Sequence, residues 1–144
     1  MIVIEDKPIA YFDVDDTLIM WEEHLINQED LTDPKTVQIN NMIMLVHKVH
    51  VEIMKKHKAR GHTIVVWSQG GSEWAELAVK ALELEEVVDI IMPKPYWAYD
   101  DLPYDKALGE RKYIPYNSDL KTGKEPNPPA RYKWNPFTNK PDLI

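Results

Sequence analysis

The sequence predicts an α/β domain, a parallel sheet covered by helices on both faces. Three observations carry this. Short apolar runs alternate with amphipathic stretches in the order strand, helix, strand, helix, strand. The runs are too continuous for strands with one face in water. A polar or charged residue closes each run, as expected where an open parallel sheet presents ligand-binding groups beyond the carboxyl ends of its strands. With 144 residues, 44% of them hydrophobic, the chain can bury one core and hardly two.

The elements follow in order. Ile9-Ala10-Tyr11-Phe12 lies between Pro8 and an aspartate cluster, a buried strand ending on Asp13. From Thr36 to Arg60 the residues Ile39, Met42, Ile43, Val46, Val49 and Ile53 recur at three- and four-residue steps. That is the period of an amphipathic helix, with Gly61 placed to end it. Thr63 to Trp67 is a second buried strand, followed by Ser68-Gln69-Gly70-Gly71 and a helix from Ser72, its expected N-cap, to Leu84. Val87 to Met92 is a third strand stopped by Pro93 and Pro95, and Tyr96 to Tyr99 a fourth ending on Asp100-Asp101. Trp67 and Trp74 fit core positions. His47 and His50 read as core or surface histidines, because no acidic residue stands at the spacing of a zinc-binding helix.

From Arg111 the periodicity dissolves. Six of the 11 prolines lie in 111–144, and Pro126-Asn127-Pro128-Pro129 opposes regular structure. The expected organisation is a domain over 1–110 and an extended, Pro-rich arm over 111–144 that packs on or covers it.

The formal net charge of −7 argues against casual nucleic-acid binding, which needs Lys and Arg to neutralise phosphates. The average hides a split: residues 1–110 hold 10 basic and 21 acidic residues, and 111–144 hold 7 and 3. In the arm, Lys121, Lys124, Arg131, Lys133 and Lys140 interleave with Tyr132, Trp134 and Phe137, a composition also used to track single-stranded nucleic acid. The favoured reading is that the aromatics pin the arm to the body and its cations face the acidic surface. The absence of cysteine excludes disulfides, thiolate nucleophiles and Cys-ligated zinc. No apolar run approaches the ~20 residues of a membrane span. The first residues lack the basic end and apolar stretch of a secretion signal. A cytoplasmic location and no membrane partner are expected.

The chemistry concentrates at the strand ends. Asp13, Asp15 and Asp16 put three carboxylates into four residues, unfavourable unless a cation or proton relieves the repulsion. Only hard oxygen ligands are offered, so Mg²⁺ is the expected cofactor, with Asp100 and Asp101 joining from another strand end. Ser68 supplies a hydroxyl and Lys94 a cation for the non-bridging oxygens of a phosphoryl group. Gln69, Gly70 and Gly71 leave backbone amides free at a helix start, which suits an anion.

Asp13-x-Asp15-x-Thr17 after a strand, Ser68 ending the next, then Lys94 and an acidic pair resemble the haloacid dehalogenase-like hydrolase superfamily over residues 9 to about 105. The resemblance implies a three-layer, Rossmann-like sheet and a phosphoaspartyl mechanism. In it Asp13 is the nucleophile, Asp15 the acid and base, Thr17 a brace for their loop, and Ser68, Gln69 and Lys94 the phosphate-binding group. It further implies Mg²⁺ held by the Asp13 carboxylate, the Asp15 carbonyl and an acidic residue of the fourth strand end. Two registers stand for that residue: the pair Asp100-Asp101, with Asp100 preferred as ligand, or Asp101 with Asp105. Neither gap between the motifs holds a cap domain, so the stretch 18–37, with Trp21, His24, Leu25 and Ile26, the arm, a second subunit or the substrate itself would cover the site. The implied activity is an Mg²⁺-dependent phosphatase acting on a nucleotide or other small phosphate ester. The alternatives are a phosphatase for nucleic-acid 3′-phosphate ends and a non-catalytic phosphate- or partner-binding protein of the same fold.

Overall fold

The computed structural model describes residues 1–21 and 35–114, and the backbone alone of 132–135 and 140–143. The chain divides into two compact units, Met1–Ala98 with Tyr113–Glu125, and Tyr99–Lys112 with Pro126–Ile144.

The first unit is α/β and built on a three-stranded parallel sheet. Its strands are β1 (Ile9–Asp13), β5 (Thr63–Ser68) and β6 (Ile90–Pro93), in the order β1-β5-β6. Ile9 pairs with Thr63 and Asp13 with Trp67, while Val65 pairs with Ile90 and Ser68 with Pro93. The central β5 is buried along nearly its whole length, which is why its sequence is a continuous apolar run. Parallel neighbours need crossovers. These are α1 (Lys48–Ala59), packed on β1 and β5, and α2 (Ser72–Ala81), packed on β5 and β6. The core gathers Val14, Leu18, Met54, Ile64, Val66 and Leu84.

Four expectations are corrected. The predicted helix over 36–60 is only half helix: β3 (Thr36–Ile39) and β4 (Met42–Val46) form an antiparallel hairpin, with β2 (Ile19–Met20) on the other side of β4. Ile39 pairs with Met42 across a two-residue turn in which Asn40 takes φ +55°, a conformation asparagine tolerates better than most residues. The three- and four-residue spacing misled because Met42 and Ile43 are exposed, whereas Met44 and Leu45 are buried. The third strand starts at Ile90 instead of Val87. The amides of Val87 and Val88 both donate to the Leu84 carbonyl, and Asp89 then clamps Ile64 by accepting its N–H at 2.8 Å and donating its own at 3.0 Å. Tyr96–Tyr99 is not a strand. Pro93 and Pro95 lack ladder donors, and Tyr96, Trp97 and Tyr99 are almost fully exposed. The helix after β5 is capped by Gly71, at φ +100°, and Ser72 is its first residue.

In the second unit, α3 (Tyr104–Ala107) follows Pro103, and β7 (Tyr132–Asn135) pairs antiparallel with β8 (Lys140–Leu143). The stretch 111–144, expected as an extended arm, thus contains a hairpin, with Pro141 inside β8 opposite Trp134. His24, Leu25, Ile26, Lys121, Lys124, Arg131 and Phe137 lie outside the described residues. No helix among the described residues is long and apolar enough to cross a membrane.

Candidate active site

Parallel register brings three of the expected residues to one end of the sheet. Asp13 closes β1 opposite Trp67, Ser68 closes β5 opposite Pro93, and the Lys94 amide donates to the Ser68 carbonyl at 2.9 Å. The Lys94 ammonium then reaches Asp13 Oδ1 at 3.0 Å and lies 5.7 Å from the centroid of Trp67, whose ring packs on Tyr11. Thr17 Oγ1 donates to Asp13 Oδ2 at 3.2 Å, so both oxygens of that carboxylate have a fixed partner.

The loop after β1 is rigid for a local reason. The Val14 carbonyl accepts the amides of Thr17, Leu18 and Ile19 at 3.2, 3.0 and 3.2 Å, winding Val14–Ile19 into one tight turn. Val14, Leu18 and Ile19 are fully buried, so hydrophobic anchoring holds the turn while the polar residues between them stay at least partly accessible. Asp16 sits at φ +60°, accepts the Trp21 amide on Oδ1 at 3.3 Å and acts as a turn residue.

Asp15 is held differently from Asp13. Trp21 Nε1 donates to Asp15 Oδ1 at 3.1 Å, and Trp74 Nε1 donates to Oδ1 and Oδ2 at 3.2 and 3.3 Å. Trp74 was expected in the core. It packs against the core only in part, and its indole N–H serves the carboxylate. An open cleft of about 460 Å³ is lined by Asp15, Trp21, Met42, Gly70 and Trp74.

The loop after β5 corrects one more expectation. The amides of Gly70 and Gly71 are not free for an anion: Gly70 N–H donates to Ser68 Oγ at 3.0 Å and Gly71 N–H to the Ser68 carbonyl at 3.2 Å. Ser68 is fully buried and its hydroxyl accepts that bond, while Gln69 is exposed beside it. Asp100 and Asp101 are exposed in the second unit, where Asp100 Oδ1 accepts the Leu102 amide at 3.0 Å and Asp105 falls in the first turn of α3. As Mg²⁺ donors, Asp13 and Asp15 fit in kind, hard oxygens carrying surplus negative charge. Among the described residues no three His, Asp or Glu side chains gather to hold a metal ion.

Comparison with family models, curated proteins and solved structures finds no match to this chain.

Beneath the acidic loop lies the histidine pair, His47 and His50, read from the sequence as core or surface residues and here buried. Their rings stack at 3.7 Å with 9° between planes. The His47 Nδ1 accepts the His50 amide, capping α1, so its proton sits on Nε2 and is donated to the Ile114 carbonyl at 2.7 Å. His50 Nε2 accepts the Ile114 amide at 3.0 Å, which puts its proton on Nδ1, donated to the Thr17 carbonyl at 2.7 Å. Tyr113 adds a bond from its hydroxyl to the Asp16 carbonyl at 2.9 Å. Both imidazoles are therefore neutral. Burial, then the neighbouring His50, pushes His47 down to about 4, and burial lowers His50 as well. A His-x-x-His at a helix start hints at a shared face, but its partners Thr17 and Ile114 are too distant in sequence to be inferred.

Proposed function

We propose that this chain is an Mg²⁺-dependent phosphatase of the haloacid dehalogenase-like type, with a three-layer Rossmann-like sheet, hydrolysing small phosphomonoesters, nucleotides among them. The observation that carries the reading is the Asp13–Lys94 pair at the carboxyl end of the sheet, with Thr17 bracing the same carboxylate. A lone structural ion pair has no use for a second carboxylate two residues on, poised at the mouth of a cleft.

The residues divide the work. An oxygen of Asp13 attacks phosphorus, forming an Asp13 O–P bond as the ester P–O bond breaks. Asp15 gives its proton to the departing oxygen, then takes one from the water that cleaves the aspartyl-phosphate and releases inorganic phosphate. Lys94, already 3.0 Å from Asp13, steadies the non-bridging oxygens, while the buried Ser68 hydroxyl holds the Gly70 amide and so shapes the loop beside them. Asp13 and Asp15 would hold Mg²⁺, which neutralises phosphoryl charge when bound. The alternative of a nucleic-acid 3′-phosphatase draws on arm side chains outside the described residues, and no observation here favours it.

The test is hydrolysis of p-nitrophenyl phosphate with Mg²⁺ and with EDTA, by the native chain, Asp13→Asn and Asp15→Asn. Turnover is expected only with Mg²⁺ and the native chain, with Asp13→Asn reduced by at least about 10³-fold. Turnover that survives Asp13→Asn refutes the covalent mechanism. No turnover on any phosphate ester tried, including nucleotides, points to a binding protein.

A further inference from the structure

We propose that the cleft beside Asp15 is a base-binding slot, so that the leaving group is a nucleoside and the substrate a nucleoside monophosphate. The inference rests on the reading above for the side of the site it assigns: if Asp15 protonates the leaving oxygen, the leaving group lies on the Asp15 side. There the walls are aromatic. Trp21 and Trp74 run near-parallel, 19° apart with centroids 6.4 Å from each other, and each donates its indole N–H to the same Asp15 oxygen. The 6.4 Å spacing leaves no room for a third ring between them, so a planar group stacks on the outer face of one indole, nearly parallel to the other. Met42, exposed on the hairpin, adds a soft, polarisable edge suited to an aromatic ligand. The cleft, about 460 Å³ and widely open to solvent, leaves space for a group larger than a short alkyl or a bare phenyl laid against the indoles.

The cleft is also joined to the phosphate-handling turn. A Cβ at Gly70 would meet Trp74 Cδ1 at 3.2 Å and Ser68 Oγ at 3.3 Å, so glycine lets the indole lie against the loop that ends β5. The ring that would hold the base thus packs against the loop that Ser68 shapes at the end of β5. The surplus of acidic residues over 1–110 disfavours a polyanion and leaves the mononucleotide as the fitting occupant.

Two measurements test this, one of them independent of turnover. In the full chain carrying Asp13→Asn, unphosphorylated adenosine or uridine should quench tryptophan fluorescence saturably, and ribose should not. Adding Trp74→Leu should weaken that binding about ten-fold, the scale of one lost stacking partner. In the active protein, the kcat/KM ratio of nucleoside monophosphate to glycerol phosphate should fall about ten-fold in Trp74→Leu and hold in Trp74→Phe, which keeps a ring and loses the N–H. Equal ratios in Leu and Phe variants would mean the indoles serve only to position Asp15, and overturn the slot. Absence of saturable nucleoside binding up to about 10 mM overturns it too, even if p-nitrophenyl phosphate is hydrolysed. Nucleoside binding in a chain that hydrolyses nothing leaves the slot standing and removes the phosphatase. A 3′-phosphorylated oligonucleotide preferred over the mononucleotide would assign the slot to a chain end and refute the mononucleotide.

Discussion

Acidification should loosen this protein in a pH window set by one buried pair. His47 and His50 are stacked, neutral and bonded through fixed tautomers to Ile114 and Thr17, and neither ring can take a second proton without breaking an accepted hydrogen bond. His47 lies at about 4 when folded, against about 6.5 for an exposed histidine. Since the folded value is the lower, the unfolded chain binds the proton first as pH falls. The stability contributed is whole above pH 6.5, declines as pH drops towards 4 and is gone below it. From that difference the loss is about 2 kcal/mol at pH 5 and about 3 kcal/mol below pH 4. His50, also lowered by burial, adds in the same direction. Asp89, a carboxyl held low against its burial by the Lys58 and Ile64 bonds, titrates below this window. Urea unfolding at pH 7.5, 6, 5 and 4.5 measures the effect, with a midpoint shift of about 1 M expected between the first and third. His47→Asn keeps an N-cap acceptor and removes the titrating ring, so most of the slope should vanish in that variant. A native protein whose stability is flat from pH 7.5 to 5, or whose slope persists in His47→Asn, refutes the neutral-pair account.

Two further outcomes follow from burial. Leu18, fully buried in the turn that carries the acidic loop, should cost about 3 kcal/mol on change to alanine and should reduce phosphatase turnover in the same variant, as read by urea unfolding and p-nitrophenyl phosphate hydrolysis. Ile43→Lys should change stability by no more than about 0.5 kcal/mol, since that side chain is 66% exposed on the hairpin, whereas Met44→Lys, at a fully buried neighbour, should prevent folding; equal damage from both would restore the helix predicted for that stretch.

Some of the site is legible in the chain because its causes are local. Residues 64–67 of β5 are apolar since the strand is buried along nearly its whole length, and Asp13 and Ser68 end β1 and β5 with polar groups at the sheet's carboxyl edge, with Lys94 one residue past β6. That places Asp13, Ser68 and Lys94 together by register alone. Local patterning fails where two structures satisfy it equally. Ile39, Met42, Ile43 and Val46 suit a helix by spacing, and the choice of a hairpin fell to β2 pairing with β4 and to an asparagine at positive φ.

The sequence by itself determined an α/β unit with a carboxylate and a lysine facing one edge, because apolar continuity and chain punctuation act over a few residues. Only the tertiary structure decided how those groups are held. The tryptophans on Asp15 are 6 and 59 residues from it, and the histidine strap joins Thr17, His50 and Ile114 across up to 97 residues of chain. Contacts of that range form when buried surfaces meet, and they leave no periodic trace in the order of residues.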